Sequence, residues 1–345
     1  MRSVQTPTRG PLARHPSQVR LTGVGGIQAC VLDFGATLCS VRLPTSNGPL
    51  ELLLGYPDVA GYLNDSHFMG ATIGRYANRI AGGRYAHGSR QVRLSRNDRG
   101  NTLHGGPVGL HRHWWQIGDA TASSVRLHAI SPSGNEGFPG TLEASATFDV
   151  GEDYVEILYE ARTDEACPVN LTAHPYFRLG QDASALDHQY CLPAHAFLPV
   201  DGDGIPLGDP GPVAGTMFDF RQLRSLDPER MREDPALRSA GGYDHCFVLE
   251  PGNQELPLAA LAYCPATGIG MTVRSRMPGI QFYTGNALSG PFARHSGFCL
   301  EPQFWPDSPN RPSYPSAMLI PGETYRHRIR YSFFVSAPVP AFRFP

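Results

Sequence analysis

The chain has 345 residues, 41% of them hydrophobic, and a formal net charge of −2. This length permits two average domains or one large all-β domain, and the apolar content is sufficient for a sizeable core. A nearly neutral chain has no strong field to attract nucleic acid or a membrane surface, so we expect neither as a partner. A small, neutral, polar ligand fits this balance best.

Residues 1–18 carry arginines and no acidic residue, a faint likeness to an organelle-targeting presequence. Pro7, Pro11 and Pro16 would break the amphipathic helix that such a presequence needs, so we interpret residues 1–18 as a flexible lead-in. No apolar run approaches the roughly 20 residues of a membrane helix, and no secretory signal is recognisable. These features predict a cytoplasmic protein.

The first polar island in the chain is TIGRYANRIAGGRY, which contains Asn78 and Arg79. A planar guanidinium can span two vicinal hydroxyls, and an asparagine amide both donates and accepts hydrogen bonds, so both suit sugar recognition. The alternative is a structural ion pair, because Arg75 and Arg84 lie close by in the sequence.

The second island, NTLHGGPVGLHRHWW, contains His104 followed by Gly105 and Gly106. Glycines lack side chains, and we expect these two to let a ligand approach the backbone closely. No P-loop spacing accompanies them, which argues against a nucleotide site. His111 and His113 invite a metal site with His104, but we interpret this HxH pattern as surface and packing.

Alternation of apolar and polar residues then predicts antiparallel strands. It covers 142–150, where Leu142 and Phe148 alternate with Glu143 and Asp149, and it recurs over 155–160 and 328–335. The 38 glycines and 32 prolines separate such short runs. This pattern predicts an all-β protein, with many strands joined by loops and few short helices.

The best helical candidate is the short piece after Asp227, an N-cap residue followed by Pro228 at the first helical position.

Beyond it, GGYDHCFVL contains Asp244, which can accept two hydroxyl hydrogens at once, and GIQFYTGNAL contains Gln281, which can add polar contacts. Taken alone, Asp244 would more often be a turn residue.

Two further islands carry groups suited to proton transfer near neutral pH: NLTAHPYF with His174 and FCLEPQFWPDSPN with Glu301. His174 precedes a proline and is therefore expected to be extended; a lone histidine of this kind is more often structural. Glu301 has apolar and aromatic neighbours, whose desolvation would raise its pKa and make it a better base. Candidates for packing on a sugar are Tyr76, Phe282 and Trp305, although core packing is their commoner role.

Taken in order, these six segments resemble the aldose 1-epimerases, also called galactose mutarotases, from about Val19 to Val335. The resemblance implies a large antiparallel β-sandwich of the supersandwich, galactose mutarotase-like type. It implies that Glu301 takes the proton from the C1 hydroxyl while His174 protonates the ring oxygen. The opened sugar then rotates about C1–C2 and recloses as the other anomer.

The resemblance assigns substrate contacts by motif position to five residues, namely Asn78, Arg79, His104, Asp244 and Gln281. It implies no metal and no cofactor, and it implies an aldohexose such as galactose or glucose as substrate. After HPYF the chain has Arg178 where many members carry asparagine. This departure leaves loop geometry and substrate preference open.

Three other functions remain alternatives. A glycoside hydrolase would use two carboxylates, which Asp244 and Glu301 supply, but the matched motifs pair glutamate with histidine. A non-catalytic carbohydrate-binding sandwich has no need of that pair. An enzyme acting on a related or phosphorylated aldose would need a basic anion site, for which the arginines around Arg79 are the candidates.

The absence of a linker-like composition shift predicts one domain over residues 19–336, followed by a proline-rich tail at 337–345. We expect a monomer or a homodimer.

The seven cysteines include no CxxC pair and no Cys/His metal-ligand spacing. Most of them are interpreted as buried, reduced thiols, which suggests a reducing compartment.

Overall fold

A computed structural model describes residues 14–250 and 252–335. The predicted tail at 337–345 and the first thirteen residues of the predicted lead-in lie outside the described residues. Within the described part of the chain, no helix is long and apolar enough to cross a membrane.

Short strands dominate the described residues. In the first half of the chain they are β1 (Gln18–Thr22), β2 (Gln28–Leu32), β3 (Thr37–Leu43), β4 (Leu50–Glu51), β5 (Thr72–Ile73), β6 (Arg79–Ile80), β7 (Arg84–His87), β8 (Arg90–Arg93), β9 (Thr102–Leu103), β10 (Gln116–Ala120), β11 (Ser124–Ser131), β12 (Leu142–Val150) and β13 (Tyr154–Thr163). In the second half they are β14 (Cys167–Pro168), β15 (Thr172–Ala173), β16 (Gln189–Cys191), β17 (Ala196–Phe197), β18 (Gly211–Pro212), β19 (Arg224–Ser225), β20 (Asp244–Val248), β21 (Leu258–Cys264), β22 (Ile269–Arg274), β23 (Gly279–Tyr283), β24 (Cys299–Gln303), β25 (Met318–Leu319) and β26 (Tyr325–Val335).

Three α-helices of four to six residues occur among residues 14–250 and 252–335: α1 (Ala60–Leu63), α2 (Pro228–Glu233) and α3 (Pro235–Ala240). The predicted helix after Asp227 is confirmed as α2, whose first-turn amides at Glu229 and Arg230 donate to the Asp227 carboxylate. Asp234 caps α3 in the same way, ahead of a second proline. Single-turn 3₁₀ segments lie at Ala81–Gly83, Leu110–Arg112, Asn135–Gly137, Ala185–Asp187 and Ser308–Asn310.

The strands form three larger antiparallel sheets. A nine-stranded sheet has the order β10-β11-β12-β13-β26-β22-β21-β16-β19, a five-stranded sheet has the order β18-β17-β20-β23-β24, and a four-stranded sheet has the order β1-β2-β3-β4. Strand pairs β5–β15 and β6–β9 tie distant loops together. The predicted all-β antiparallel sandwich is confirmed.

Alternation along the strands explains the core. Leu142, Ala146 and Phe148 of β12 are at most 1% exposed, as predicted from their spacing. The opposite face of the nine-stranded sheet carries ion pairs such as Arg330–Glu156, at 2.7 Å between Nη2 and Oε2. The buried face packs on the five-stranded sheet, where ring centroids of Tyr190 and Phe282 lie 4.5 Å apart. One hydrophobic cluster runs through all three sheets, from Leu21 to Phe333.

Candidate active site

The five-stranded sheet presents three of the predicted polar residues on one face. Gln281 of β23 stands directly opposite Glu301 of β24, and Asp244 begins the neighbouring strand β20. Because side chains alternate along a strand, Phe282 and Leu300 point into the core while Gln281 and Glu301 point away from it. Gln281 Nε2 donates to Asp244 Oδ1 at 2.6 Å, which joins the two side chains.

Glu301 is a buried carboxyl with unused hydrogen-bonding capacity. Its residue is 2% exposed, and its Oε2 atom is buried without a hydrogen-bond partner. Burial raises the pKa of Glu301 well above the ordinary glutamate value, and the charge of Asp244 adds to this shift. The prediction that an apolar setting raises this pKa agrees with the structure.

His174 enters the same space from the loop after β15. Its backbone is held on both sides, since its N–H donates to Ala71 O and its carbonyl accepts from Gly70 N–H, each at 3.0 Å. On one edge of the ring, Nδ1 lies 3.5 Å from Cys299 Sγ. On the other edge, Nε2 lies 3.7 Å from Glu301 Oε1. The imidazole is thus aimed at the carboxyl.

The two groups share one transferable proton. Burial lowers the pKa of His174 to about 4, and it raises that of Glu301, so both shifts favour uncharged side chains. A carboxylic acid beside a neutral imidazole holds the same number of protons as a carboxylate beside an imidazolium. In either arrangement the pair offers one acid and one base, 3.7 Å apart.

His104 and Asn78 lock each other in place. The His104 N–H donates to Asn78 O at 3.0 Å, and the Asn78 N–H donates to His104 Nδ1 at 3.1 Å. Both residues have left-handed backbones, with φ of 53° and 64°. Because Nδ1 is an acceptor here, the neutral ring carries its hydrogen on Nε2. Burial, together with the charges of nearby His174 and Arg79, lowers the pKa of His104 well below its ordinary value.

Arg79 is held by a residue that we did not single out in the sequence. Its Nε donates to Asp98 Oδ2 at 2.7 Å, and both side chains are largely buried. Burial opposes ionisation of Asp98, but Arg79 and Arg99 outweigh it and bring the pKa of Asp98 below its ordinary value. Arg99 also donates to Gly202 O at 2.6 Å, which attaches the loop at 201–204 to this cluster.

All seven predicted site residues line one cavity of about 670 Å³, namely Asn78, Arg79, His104, His174, Asp244, Gln281 and Glu301. This volume lies within the usual range of small-ligand pockets. The cavity also has aromatic walls from Phe68, Tyr176 and Tyr283, and a rim that includes Asp98 and the loop at 201–204. Tyr283 could have been found from the sequence, because it lies two residues after Gln281 on the same strand face.

Several other candidates lie elsewhere. Tyr76 and Phe282 are fully buried core residues, and Trp305 Nε1 donates to Pro278 O at 2.8 Å; none of the three lines the cavity. Arg75 donates to Ser131 Oγ and to backbone carbonyls of residues 131, 132, 139 and 140, so its role is structural. Arg178 lines a different groove, on the four-stranded sheet.

The expected role of the two glycines was wrong. Gly105 and Gly106 have φ of 84° and 96°, but neither lines the cavity. A Cβ atom at Gly105 would lie 2.1 Å from Gly74 O, and one at Gly106 would lie 2.8 Å from a carboxylate oxygen of Glu136. The glycines therefore permit close packing of the His104 loop on the protein itself, and not on a ligand.

One group of possible metal ligands occurs among the described residues. Three potential ligand atoms, one from each of His174, Cys299 and Glu301, lie within 4.8 Å of one another. Burial raises the pKa values of Cys299 and Glu301 well above their ordinary values, so both tend to stay protonated, whereas metal ligands must be deprotonated. His111 instead packs its ring against Phe68, with centroids 4.8 Å apart. A metal-free site stays a prediction.

Comparison with known proteins identifies the family. The family model for aldose 1-epimerase matches residues 17–332. An aldose 1-epimerase of Escherichia coli is 38% identical over 341 residues, covering 95% of this chain and 98% of that protein. A galactose mutarotase of Homo sapiens is 37% identical over 317 residues, covering 89% of this chain and 91% of that protein.

Solved structures agree with this result. A galactose 1-epimerase from Lactobacillus acidophilus superimposes with a TM-score of 0.83 at 28% identity, covering 95% of this chain and 97% of that one. An aldose epimerase homologue from C. elegans gives a TM-score of 0.85 at 25% identity, covering 93% of this chain and 100% of that one. With the fold matched and the family model spanning nearly all of the sequence, this chain belongs to the aldose 1-epimerase family.

Proposed function

We propose that this protein is an isomerase that interconverts the α and β anomers of aldohexoses, such as galactose and glucose, by opening and reclosing the pyranose ring. One observation carries the proposal: a buried histidine and a buried carboxyl, 3.7 Å apart, face a cavity lined with hydrogen-bonding side chains. Membership of the aldose 1-epimerase family supports it.

In the proposed reaction, Glu301 takes the proton of the C1 hydroxyl while His174 gives a proton to the ring oxygen. The C1–O5 bond breaks as C1 becomes a carbonyl, and rotation about C1–C2 presents its other face. Reclosure reverses both transfers and delivers the opposite anomer. General acid and general base catalysis would each contribute roughly 10²- to 10⁴-fold to the rate.

These roles require the proton of the pair to be on His174 when the cyclic sugar is bound. Burial favours Glu301 as its holder, because both groups are then uncharged. A sugar hydroxyl that donates to Glu301 stabilises the carboxylate form. We infer that substrate binding itself moves the proton to His174 and prepares the first step.

The proposed substrate contacts use hydrogen-bonding capacity that the protein leaves open. The Oε1 atom of Gln281 is buried without a partner, so it is available to accept from a sugar hydroxyl. His104 has its Nδ1 occupied by Asn78, so its Nε2–H is available as a donor to a sugar oxygen. Arg79, ion-paired through Nε, keeps its terminal amino groups for vicinal hydroxyls, and Asp244 accepts from others.

Charge compensation argues against a phosphorylated sugar. The cavity cation Arg79 is already paired with Asp98, and Arg99 contacts both Asp98 and Asp203. Arg75 is committed to backbone carbonyls outside the cavity. A phosphate dianion would therefore meet compensated cations and the carboxylate of Asp244, which favours a neutral aldose.

The test is polarimetry of freshly dissolved α-D-galactose and α-D-glucose in a buffer that is a poor catalyst. Wild type should accelerate mutarotation, and Glu301→Gln and His174→Ala should each lose most of the acceleration. An unchanged spontaneous rate with wild type would overturn the proposal for these sugars. Product analysis on a disaccharide separates the remaining alternative, because cleavage would indicate a glycoside hydrolase.

The domain bounds, the cellular compartment and the oligomeric state are proposals as well. A single domain over 19–336 is supported by the hydrophobic cluster that joins the three sheets. A reducing compartment, the cytoplasm, is supported by seven cysteines that are all free thiols. Light scattering of the purified protein would decide between the proposed monomer and homodimer.

A further inference from the structure

A polar groove of about 620 Å³ runs along the four-stranded sheet, and it shares no lining residue with the active-site cavity. We call it the outer groove, and it is lined in part by Arg20, Cys30, Cys39, Arg42, Glu51 and Arg178. Its two cysteines are only partly buried, whereas the other five cysteines are buried. The outer groove is therefore the place where thiols of this chain meet solvent.

A β-bulge brings the two cysteines together. Strands β2 and β3 pair Cys30 with Ser40 and Val31 with Leu38, so Cys39 is the extra residue between two regular pairs. In such a bulge two consecutive residues oppose one residue of the partner strand. Accordingly Cys39 and Ser40 are both partly exposed and line the groove with Cys30, while Leu38 and Val41 are buried in the core.

The two thiols are neighbours with different environments. Cys39 Sγ donates to Cys30 O at 3.3 Å, and Cys30 Sγ lies 3.7 Å from Gln18 Oε1. The neighbouring Cys39 thiol lowers the pKa of Cys30; burial opposes the shift, and the charges of Arg20 and Arg42 support it. Cys30, together with burial, raises the pKa of Cys39 well above its ordinary value. Of the two thiols, Cys30 therefore loses its proton more readily.

We propose that Cys30 and Cys39 form a redox-active thiol pair that reacts with a low-molecular-weight disulfide. Cys30 thiolate attacks one sulfur of that disulfide, which forms a mixed disulfide and releases the other half as a thiolate. Cys39 then loses its proton to solvent and attacks Cys30 Sγ, which closes a Cys30–Cys39 disulfide and releases the second thiol. Two protein thiols are oxidised, and one small disulfide is reduced to two thiols.

The backbone is already suited to this bond. Residues that face each other in an antiparallel ladder have Cα atoms roughly 4.5 to 5.5 Å apart, and the bulge places Cys39 next to Ser40 on the strand that faces Cys30. Protein disulfides join Cα atoms roughly 4.4 to 6.8 Å apart, so no strand has to move far. The cations Arg20 and Arg42 beside Cys30 favour an anionic disulfide as the reagent, although Glu51 compensates Arg42 in part, at 3.3 Å.

Alkylation and mass spectrometry test the proposal on the native full chain. Each unit by which a thiol pKa is lowered raises its thiolate fraction about tenfold, but intrinsic nucleophilicity falls, so the net gain is about threefold per unit. Since the two pKa values are shifted in opposite directions, we expect iodoacetamide at neutral pH to modify Cys30 at least about threefold faster than Cys39. The five buried cysteines are internal controls.

Glutathione disulfide is the probe for the exchange reaction. Wild type should lose two hydrogens and become protected from alkylation at Cys30 and Cys39 alone. Cys39→Ser should accumulate a glutathione adduct on Cys30, and Cys30→Ser should leave Cys39 unreacted; near-ultraviolet circular dichroism verifies that both variants are folded. The proposal is overturned if Cys30 is no faster than Cys39, or if folded Cys39→Ser collects no adduct.

Discussion

Replacement of Glu301, the proposed general base, by glutamine should separate the effect on catalysis from the effect on folding. The change exchanges one carboxyl oxygen for an amide nitrogen and leaves the shape of the side chain nearly the same. Glutamine cannot take a proton, so we expect the enzyme-catalysed rate to fall roughly 10²- to 10⁴-fold. This corresponds to about 2.7 to 5.4 kcal/mol of lost transition-state stabilisation.

The effect on stability should be far smaller. In the wild type the Oε2 atom of Glu301 is already buried without a hydrogen-bond partner. The amide of Glu301→Gln would inherit the same lack of a partner, so the free energy of unfolding should change by no more than about 1 kcal/mol. In addition, the raised pKa of Glu301 stabilises the wild-type fold at low pH, and this contribution is lost as the pH rises through the folded-state pKa. The variant should lack that pH dependence.

The assay pairs polarimetric rates with urea unfolding at several pH values. Glu156→Gln is the matched control, because the same chemical change then falls on the outer face of the nine-stranded sheet, where Glu156 pairs with Arg330. A Glu301→Gln protein that is folded and retains activity within about tenfold of wild type would refute the assignment of Glu301 as the base.

Three further substitutions and one pH dependence have defined outcomes. Asp98→Asn removes the charged partner of Arg79, so we expect KM for galactose to rise about tenfold with kcat largely retained, as measured from initial polarimetric rates. Gly105→Ala should lower the melting temperature markedly, because its Cβ would collide with backbone at a φ of 84°. Asp227→Ala should cost about 1 kcal/mol of unfolding free energy in urea, through loss of the α2 cap. Finally, the pKa of His174 is lowered to about 4, so in the Glu301→Gln background, where the opposing contribution of Glu301 is absent, unfolding free energy should fall as the pH drops from about 6.5 to 4, by up to about 1.4 kcal/mol per pH unit for this group.

Each of these expectations can fail in a definite way. An unchanged KM in Asp98→Asn would mean that Arg79 needs no partner to bind sugar. A Gly105→Ala protein as stable as wild type would contradict the close packing of the His104 loop. Arg238→Ala, on the neighbouring helix α3, is a control for the cap variant, since it touches no first-turn amide. In the Glu301→Gln background, stability that does not decline below pH 6.5 would contradict the burial of a neutral His174.

Local patterns in the sequence were enough to find three of the longer strands and one short helix. The alternation over 142–150 coincides with β12, and the runs at 155–160 and 328–335 fall inside β13 and β26. Helix α2 begins at the predicted proline. The same aspartate–proline pattern recurs at Asp234 and starts α3, which we did not predict although its signal was present. Such elements are determined by residues that are close in sequence, so the sequence alone predicts them.

The two-residue strands were out of reach for the opposite reason. β5 and β15 pair Ile73 with Thr172, and β6 and β9 pair Ile80 with Thr102. Neither member of such a pair has a period long enough to be recognised. Their existence depends on a partner strand that only the folded chain supplies.

The sequence by itself determined the family, the fold class and the seven polar residues that now line one cavity. Only the tertiary structure decided which groups touch: Asp98 against Arg79, Cys299 against His174, and the Cys39 thiol against the carbonyl oxygen of Cys30. It also decided that Gly105 serves backbone packing. The physical reason is that strand propensity and capping act within a few residues, whereas ion pairs, pKa shifts and thiol contacts depend on distances set by sheet register and loop closure.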